Sequence, residues 1–472
     1  MVVGTTTRGC QTVVIGGGPG GYLAAIRLAQ LKQDVLLVDE NPALGGICLN
    51  EGCIPSKALI HAADLLEEAK SASKMGIRID GAAVDLPKVM EWKDGIVRKL
   101  TDGVRMLATR NGAEILTGQA RFVGDRRLEV FTETGPVLVD FEKAVIATGS
   151  RAKTLEGFEF DGEHVIGSRE ALSLRSIPKR LVIIGGGYIA LELGSVYRRF
   201  GSEVDILVRA DSLLAFHDPE VGKTIARRMK ELGVRLHFGH CPIRIERGEV
   251  SKVTIACPDS SEKIMEADGV MVSIGRVPNS DRLDLEKAGV KINGEGFIPV
   301  DSRMETNVPG IFAVGDVVGG PLLAHKAYRE AKVAAEVIAG NPAGFDNLVI
   351  PAVVYTDPEI AWAGLSEKEA RGKGYQVVTG NFPFRASGRA MTLNAVEGFV
   401  KTIADAETLR ILGVTIVGAD ASELISEAAL AIEMGARLDD LSQTIHPHPT
   451  LSEGLLESVG AALGEAIHIM NR

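Results

Sequence analysis

The sequence predicts an α/β fold in which two Rossmann-type strand–turn–helix units precede a C-terminal α+β region. An apolar strand at residues 12–15 runs into a glycine-rich turn and then into an apolar helix. The same order recurs from residue 180, again with three consecutive glycines after an apolar strand. From about residue 351 onward, strand-like and helical segments continue without such a turn. The repeat and its absence from the C-terminal part predict two similar domains and one different domain.

The first unit has the pattern of a dinucleotide-binding site. Its turn reads Gly-x-Gly-x-x-Gly, which permits a tight turn, the approach of a pyrophosphate and close packing of the helix. The N-terminus of the helix attracts the phosphate charge. A second strand at residues 35–38 is followed by Asp39, 18 residues past the last glycine, where an acid can hold a ribose hydroxyl. The motif glycines are Gly16, Gly18 and Gly21.

The second unit departs from the first at two positions. Its turn ends in alanine in place of the third glycine, and its second strand ends in Val208, where the first unit has an acid. Arg209 follows directly. Two complete units imply two dinucleotides or two halves of one larger site. The motif residues here are Gly185, Gly187 and Ala190.

Two cysteines, Cys48 and Cys53, follow shortly after the first unit. Residues five apart do not stack squarely on a helix, so a disulfide between them would be strained and easily reduced. Strained, accessible disulfides are the catalytic ones. A structural or zinc pair is the alternative, but Cys10, Cys241 and Cys257 are scattered singly and supply no second cluster. We therefore predict a redox-active dithiol beside one flavin and one nicotinamide nucleotide.

Length and charge exclude several other classes of protein. The net charge of −10 argues against nucleic acid as the main partner, and no apolar run is long enough to span a membrane. The first residues lack the basic and apolar regions of a signal peptide, so a cytoplasmic enzyme is expected. The predicted domains are 1–150 for the flavin, 151–272 for the nicotinamide nucleotide, 273–347 to complete the flavin site and 348–472 for subunit contact.

Further glycine signals lie at the ends of apolar strands. Each of them, taken alone, could be an ordinary turn after a strand. They comprise Thr148 with Gly149, Gly275, and Gly315 with Asp316.

In the C-terminal region, which has no nucleotide signature, we predict helices at residues 421–434 and 454–470.

An acid–base element is predicted near the C-terminus, where the chain reads His-Pro-His-Pro-Thr-Leu-Ser-Glu from residue 446. Thiol exchange needs a base, and histidine suits that task because its pKa lies near neutrality. Glu453 could orient the ring of His448 and raise its basicity. A proline-rich surface turn with solvated histidines explains the same spacing equally well.

Together these motifs resemble the pyridine nucleotide–disulfide oxidoreductases that carry FAD. The likeness covers nearly the whole chain, and within the family it is greatest to the dihydrolipoamide dehydrogenases. The segments that carry it are 45–57, 323–327 and 446–453. The resemblance implies an enzyme that oxidises dihydrolipoamide to lipoamide through a redox disulfide and FAD, with hydride passed to NAD(P)+.

The resemblance also assigns roles to matching positions. It implies that Cys48 exchanges with the lipoyl disulfide, that Cys53 faces the flavin, and that His448 serves as base for the other subunit of a homodimer, oriented by Glu453. A lipoyl-bearing acyltransferase of a 2-oxo acid dehydrogenase complex is an implied partner. Other implied positions are the ion pair of Lys57 and Glu192 near the flavin ring, Tyr188 over the nicotinamide, Asp39 at the adenosine ribose, Asp316 at the ribityl chain, and Ala324 with His325 beside the cofactor.

The end of the second nucleotide unit instead resembles that of NADPH-dependent glutathione reductases. Losing the acid removes repulsion of a 2′-phosphate, and an adjacent arginine can bind it, so Val208 and Arg209 favour NADP. A second arginine usual in those enzymes is missing at Ala215 and Phe216, and a solvated Arg209 with NAD is the alternative. Two other functions stay open: an NADPH-dependent disulfide reductase of the glutathione reductase type, and a non-catalytic docking subunit.

Overall fold

The computed structural model describes residues 6–215 and 217–471, and its N-terminal part is built on a seven-stranded sheet. The first six strands lie in the order β3-β2-β1-β6-β5-β4, with β1, β2, β3 and β6 parallel. The strands are β1 (Thr6–Ile15), β2 (Val35–Asp39), β3 (Glu114–Thr117), β4 (Gln119–Gly124), β5 (Arg127–Thr132) and β6 (Gly135–Ile146). The helices are α1 (Pro19–Gln30), α2 (Gly46–Glu51), α3 (Cys53–Ser71) and α4 (Leu86–Asn111).

The register of the central strands places the predicted site at one edge of this sheet. Ile15 pairs with Val38 on one side and with Ile146 on the other. The carboxyl ends of β1, β2 and β6 therefore lie side by side, at the edge where parallel sheets bind ligands. Alternate residues of β1 face opposite layers, since Val13 and Val14 belong to separate apolar cores.

The second parallel sheet has the order β11-β10-β9-β15-β8 and repeats this arrangement. An antiparallel meander, β12-β13-β14, and a two-stranded sheet, β16-β7, accompany it. The elements are β7 (Ser150–Ala152), β8 (Val165–Ile166), α5 (Ser168–Ala171), β9 (Arg180–Ile184), α6 (Tyr188–Phe200), β10 (Glu203–Val208), α7 (Pro219–Glu231), β11 (Arg235–Phe238), β12 (Cys241–Glu246), β13 (Ser251–Ala256), β14 (Glu262–Ala267), β15 (Gly269–Val272) and β16 (Arg276–Pro278).

A later segment returns to the first sheet. Strand β17 (Ile311–Ala313) pairs in parallel with β6, with Ala313 opposite Ile146, and helix α8 (Ala324–Ile338) packs against α1. The turn after β17 therefore reaches the same sheet edge as the turns after β1 and β6. The predicted central domain therefore contacts the first domain through β17 and α8. The domain boundaries themselves stay predictions.

The C-terminal region forms an antiparallel sheet of order β18-β19-β22-β21-β20 flanked by helices. Its elements are β18 (Ala352–Val354), β19 (Glu359–Gly364), α9 (Glu367–Gly372), β20 (Val377–Pro383), α10 (Gly388–Thr392), β21 (Phe399–Asp405), β22 (Ile411–Gly418), α11 (Ala421–Glu433), α12 (Leu438–Ser442) and α13 (Glu453–Leu463). The predicted fold class, two Rossmann-type sheets and a C-terminal α+β region, is confirmed.

One predicted helix is too long. The helix expected at 454–470 begins at Glu453 but ends at Leu463, because Gly464 takes a left-handed conformation with φ +75° and caps it. The helix expected at 421–434 matches α11 within one residue. Among the described helices, none combines the length and apolar character that a membrane span requires.

Candidate active site

The first glycine turn is closely packed on its protein side and open on the other. Gly16 has φ +103°, and a Cβ there would collide with the Ala147 carbonyl oxygen. A Cβ at Gly21 would collide with the carbonyl oxygen of Gly16, so helix and strand meet without room for a side chain. At Gly18 the nearest atom to such a Cβ is Cα of Gly46 at 3.8 Å. The open side at Gly18 therefore faces a cavity.

This cavity has a volume of about 720 Å³ and runs between the carboxyl edge of the first sheet and helices α2, α3, α6 and α8. It brings together residues from widely separated parts of the chain. The predicted site residues that line it are Gly16, Gly18, Asp39, Cys48, Cys53, Lys57, Thr148, Gly149, Tyr188, Glu192, Gly315, Asp316 and Ala324.

The polar groups of the cavity suit a dinucleotide such as FAD. The backbone N–H of Gly17 donates to Oδ2 of Asp39, and that of Asn41 donates to Oδ1 at 2.7 Å, which orients the carboxylate. Each carboxylate oxygen keeps a lone pair for a ribose hydroxyl. Gly149 has φ +69°, and no atom lies within 4 Å of the place where a Cβ would stand, so the cavity is open there. The residues present therefore fit FAD.

The two cysteines lie on either side of a helix break. Cys48 belongs to α2, Gly52 separates the helices, and Cys53 is the first residue of α3, so its sulfur lies at a helix N-terminus. Both are thiols in this structure, and Cys53 is exposed to the cavity. The hydrogen bond with Cys48 lowers the pKa of Cys53 to about 7, against the opposing effect of desolvation by the surrounding protein and with help from Lys57.

The same hydrogen bond acts oppositely on the other thiol. Together with burial, it raises the pKa of Cys48 far above that of an ordinary thiol. The pair is therefore polarised, with the thiolate on Cys53 and the proton on Cys48. A cysteine at a helix N-terminus beside a lysine is the environment in which thiolates form near neutral pH.

A buried carboxylate accompanies this thiolate. Nζ of Lys57 lies 3.0 Å from Oε2 of Glu192, whose side chain is 3% exposed. The backbone N–H of Tyr355 donates to the other oxygen, Oε1, at 2.9 Å. Tyr188 begins helix α6 one turn before Glu192 and lines the cavity.

Several site contacts were missed by sequence reasoning. The hydroxyl of Ser150 donates to Asp316 at 2.5 Å and accepts from Nε of Arg276 at 2.7 Å, which joins the turns after β6, β15 and β17. Lys326 and Glu330 form a buried ion pair of 2.6 Å, and Oε2 of Glu330 accepts from the N–H of Gly315 at 2.7 Å. The only signal in the sequence for the first of these contacts is that Ser150 and Arg276 each directly follow a predicted turn glycine.

The neighbouring His325 points elsewhere. Its Nε2–H donates to the carbonyl oxygen of Pro351 at 2.6 Å, and its side chain is exposed. Ala324, the first residue of α8, lines the cavity while His325 is absent from its wall. Of the two predicted residues, only Ala324 at the helix N-terminus therefore lies on the cavity wall.

His448 and Glu453 lie apart from this cavity in the described chain. Nδ1 of His448 is 2.8 Å from Oε1 of Glu453, and the histidine side chain is 79% exposed. The N–H of Thr450 donates to the other carboxylate oxygen at 2.8 Å. Partial burial raises the pKa of Glu453, but these hydrogen bonds outweigh it and hold that pKa below its usual range. The pair is thus an oriented, exposed imidazole on the C-terminal region.

The second nucleotide unit repeats the glycine geometry with a different strand end. Gly185 has φ +129° and a Cβ there would meet the Ser273 carbonyl oxygen, while Gly187 and Gly275 face open space. Ala190 is fully buried. A Cβ at Gly186 would lie 2.8 Å from Cγ1 of Val208, just as one at Gly17 would lie 3.0 Å from Oδ2 of Asp39. Val208 therefore occupies the place of the acid, and Arg209 is exposed.

The first glycine turn supports a direct test of cofactor binding. Gly18→Val is expected to give a folded protein that is purified with little or no flavin, because the side chain enters the open side of the turn. Gly18 has φ −69°, which any residue adopts. Gly21→Val is the matched control and should lose stability by about 1–3 kcal/mol or more, since its side chain meets backbone. Flavin absorbance and thermal denaturation are measured for both variants. Full flavin content in Gly18→Val would contradict the prediction.

Comparison with known proteins places these features in a family. The chain matches the model described as pyridine nucleotide-disulphide oxidoreductase over residues 10–331. It matches the dimerisation domain of the same family over residues 350–459. Together these two matches cover both Rossmann-type sheets and the C-terminal sheet.

Curated relatives are similar over their full length. The chain is 46% identical over 473 residues to dihydrolipoyl dehydrogenase 2 of Haloarcula marismortui, covering 99% of this chain and 100% of the relative. It is 45% identical to the dihydrolipoyl dehydrogenase of Bacillus subtilis, with 100% of both chains covered. Identity to that of Thermus scotoductus is 48%, with coverage of 98% and 99%.

Solved structures agree with these matches. LpdA from Mycobacterium tuberculosis superposes with a TM-score of 0.88 at 25% identity, over 95% of this chain and 99% of that one. The HOCl-induced flavoprotein disulfide reductase RclA from Escherichia coli gives a TM-score of 0.85 at 28% identity, with the same coverage. From the family match, the full-length relatives and the shared fold, it follows that the chain belongs to the pyridine nucleotide-disulphide oxidoreductases.

Proposed function

We propose that this protein is a flavin-dependent dihydrolipoamide dehydrogenase, which oxidises dihydrolipoamide to lipoamide and delivers the electrons to NAD(P)+. The observation that carries the proposal is the polarised pair of Cys48 and Cys53 in the wall of a dinucleotide cavity. Relatives identical at 45–48% over their full length carry the name dihydrolipoyl dehydrogenase. A glutathione reductase or a non-catalytic docking subunit is not favoured by these relatives.

The thiol chemistry can be assigned to particular sulfur atoms. In the oxidised enzyme Cys48 and Cys53 form a disulfide. A substrate thiolate attacks Sγ of Cys48, the Cys48–Cys53 bond breaks, and Cys53 leaves as the thiolate. The second substrate thiol then attacks the mixed disulfide, lipoamide forms, and Cys48 takes up the proton. The low pKa of Cys53 and the high pKa of Cys48 suit this division.

The cofactor is held by residues on the cavity wall. Asp39 would bind the adenosine ribose, the turn at Gly16 and Gly18 the pyrophosphate, and Asp316 the ribityl chain. When bound, FAD supplies the two-electron chemistry that connects the dithiol with the nicotinamide nucleotide. Lys57 and Glu192 place a charged pair beside Cys53, and Tyr188 covers the approach from the second nucleotide unit.

The base comes from the other subunit in this proposal. The family's dimerisation domain, matched over residues 350–459, supports a homodimer. His448 is exposed and does not line the cavity of its own chain, as expected for a group that serves a neighbouring subunit. Glu453 holds the ring at Nδ1, which leaves Nε2 to take a proton from the substrate thiol.

We further infer that NADP is the preferred nucleotide. Val208 removes the carboxylate that would repel a 2′-phosphate, and the exposed Arg209 follows it directly. In the part of the chain that the structure describes, no carboxylate forms an ion pair with Arg209, so its guanidinium can donate to a phosphate.

Replacing Val208 with glutamate and Arg209 with alanine should shift the preference from NADP toward NAD. Removing a charge-assisted contact of about 1.5–3 kcal/mol changes the specificity ratio by roughly one to two decades. The new carboxylate also repels the phosphate and can accept from the free 2′-hydroxyl of NAD. The ratio of kcat/KM for the two nucleotides measures this. A tenfold preference for NAD in the unmodified enzyme would contradict the inference and leave Arg209 as a solvated side chain.

A lipoyl-bearing acyltransferase of a 2-oxo acid dehydrogenase complex is the proposed macromolecular partner, and the cytoplasm the proposed location. The partner follows from the substrate, because lipoyl groups are carried on such acyltransferases. The location is supported by the small number of cysteines, five in 472 residues, which form no disulfide framework of the secreted type.

Steady-state kinetics test the function as a whole. The purified flavoprotein is assayed with dihydrolipoamide and each oxidised nucleotide, and with glutathione disulfide and each reduced nucleotide. We expect turnover with dihydrolipoamide at a kcat of about 1–10³ per second, the usual range for enzymes. Turnover with glutathione disulfide in its place would establish the reductase alternative, and the absence of both reactions would favour the docking subunit.

A further inference from the structure

Tyr355 from the C-terminal region reaches the ion pair beside the cysteines. It lies in the short connection between β18 and β19, outside both Rossmann-type sheets. Nζ of Lys57 lies 4.3 Å from the centroid of its ring. Its backbone N–H donates to Oε1 of Glu192, while Oε2 of the same carboxylate faces Lys57 at 3.0 Å. One residue thus contacts both members of the pair.

We propose that the ring of Tyr355 is a positioning group for Lys57, holding the ammonium between the aromatic face and Glu192 so that its charge stays close to Cys53. The proposal rests on the function assigned above and adds a residue to it. Neither the sequence motifs nor the cavity wall include Tyr355. Its role is therefore to act through Lys57 rather than to touch substrate or cofactor.

The physical argument begins with the flexibility of lysine. Its ammonium is a compact charge on a four-carbon stem, and the side chain of Lys57 is 32% exposed. A single carboxylate contact does not prevent it from swinging toward solvent. An aromatic face within about 6 Å attracts a cation, which narrows the range of positions available to the ammonium of Lys57.

The position of Lys57 matters because its charge favours the thiolate of Cys53. An opposite charge within 4–6 Å stabilises an ionised group, and Lys57 is among the influences that lower the pKa of Cys53. If the ammonium moves away, the thiolate loses part of this support and the pKa of Cys53 rises. The titratable groups that face Cys53 are Cys48 from α2, Lys57 from α3, Glu192 and Tyr188 from α6, Tyr328 from α8 and Tyr355 itself.

The test measures the titration of Cys53 without requiring turnover. In a Cys48→Ser background, the holoenzyme is alkylated with iodoacetamide across the pH range, and modification of the Cys53 peptide is followed by mass spectrometry. Tyr355→Leu should raise the apparent pKa of Cys53 by about half a pH unit, a roughly threefold smaller thiolate fraction below that pKa. An unchanged titration would overturn the proposal.

Two controls separate the ring from other effects of the substitution. Tyr355→Phe keeps the aromatic face and the backbone N–H, so it should titrate like the parent. Tyr375→Leu removes an exposed tyrosine of the same C-terminal region and should also leave Cys53 unchanged. A shift in Tyr355→Phe as large as that in Tyr355→Leu would show that the hydroxyl acts, and the ring proposal would fail.

A double-mutant cycle shows whether the ring acts through the lysine. Lys57→Met should raise the pKa of Cys53 by more than Tyr355→Leu does, and adding Tyr355→Leu to it should cause no further shift. Equal shifts in both backgrounds would mean that Tyr355 acts by another route. Because alkylation does not depend on dihydrolipoamide, a shifted titration together with absent turnover would refute the proposed function and leave this inference standing.

Discussion

Replacing either Cys48 or Cys53 with serine is expected to abolish dihydrolipoamide-dependent reduction of NAD(P)+, leaving no rate above the uncatalysed reaction. Serine cannot form a disulfide, so neither the attack on Cys48 nor the departure of Cys53 can occur. FAD should stay bound, because neither thiol belongs to the glycine turns. Steady-state turnover and flavin content measure the two properties separately.

The two variants should differ in their spectra. Cys53→Ser should lack the long-wavelength absorption of a thiolate beside the flavin after two-electron reduction. Cys48→Ser should show it without reduction, since Cys53 is then a free thiol at a helix N-terminus beside Lys57, an environment that favours the thiolate. Cys257→Ser, a cysteine outside the cavity, is the control and should behave as the parent. Near-parental turnover in either site variant would remove the cysteines from the mechanism.

Replacing His448 with alanine is expected to slow the dithiol half-reaction by about 10²–10⁴-fold, the usual contribution of a general base. The imidazole is exposed, oriented by Glu453 through Nδ1, and free at Nε2 to accept a proton. Reduction of the flavin by NAD(P)H should change far less, because no substrate thiol is deprotonated before that step. Stopped-flow measurement of each half-reaction makes the comparison.

Further variants show whether the slower dithiol half-reaction of His448→Ala reflects a loss of proton transfer. Glu453→Gln should cause a smaller loss, since an amide can still contact the ring but orients and supports it less well. His164→Ala removes another histidine that faces a carboxylate, outside the C-terminal region, and should leave both half-reactions unchanged. Equal losses in both half-reactions of His448→Ala would show that the substitution disturbs the fold or the dimer and not proton transfer.

Short-range patterns were sufficient to predict the parts of this protein that depend on neighbouring residues. A strand, a glycine turn and a helix lie close together in the chain, so the turn at Gly16 and the place of Asp39 follow from backbone constraints alone. The cysteine pair is local as well. The prediction for the last helix was wrong because the left-handed glycine at Gly464 ends it.

Only the tertiary structure decided how distant segments meet. Ser150 and Asp316 are 166 residues apart, and although each directly follows a predicted turn glycine, the sequence does not show that these two turns meet. Tyr355 reaches Glu192 across 163 residues of chain. The sequence determined two nucleotide-binding turns and a thiol pair. Packing determined which thiol becomes the thiolate, because that choice depends on the Cys48–Cys53 contact, on burial and on the charge of Lys57, all of which exist only when the chain is folded.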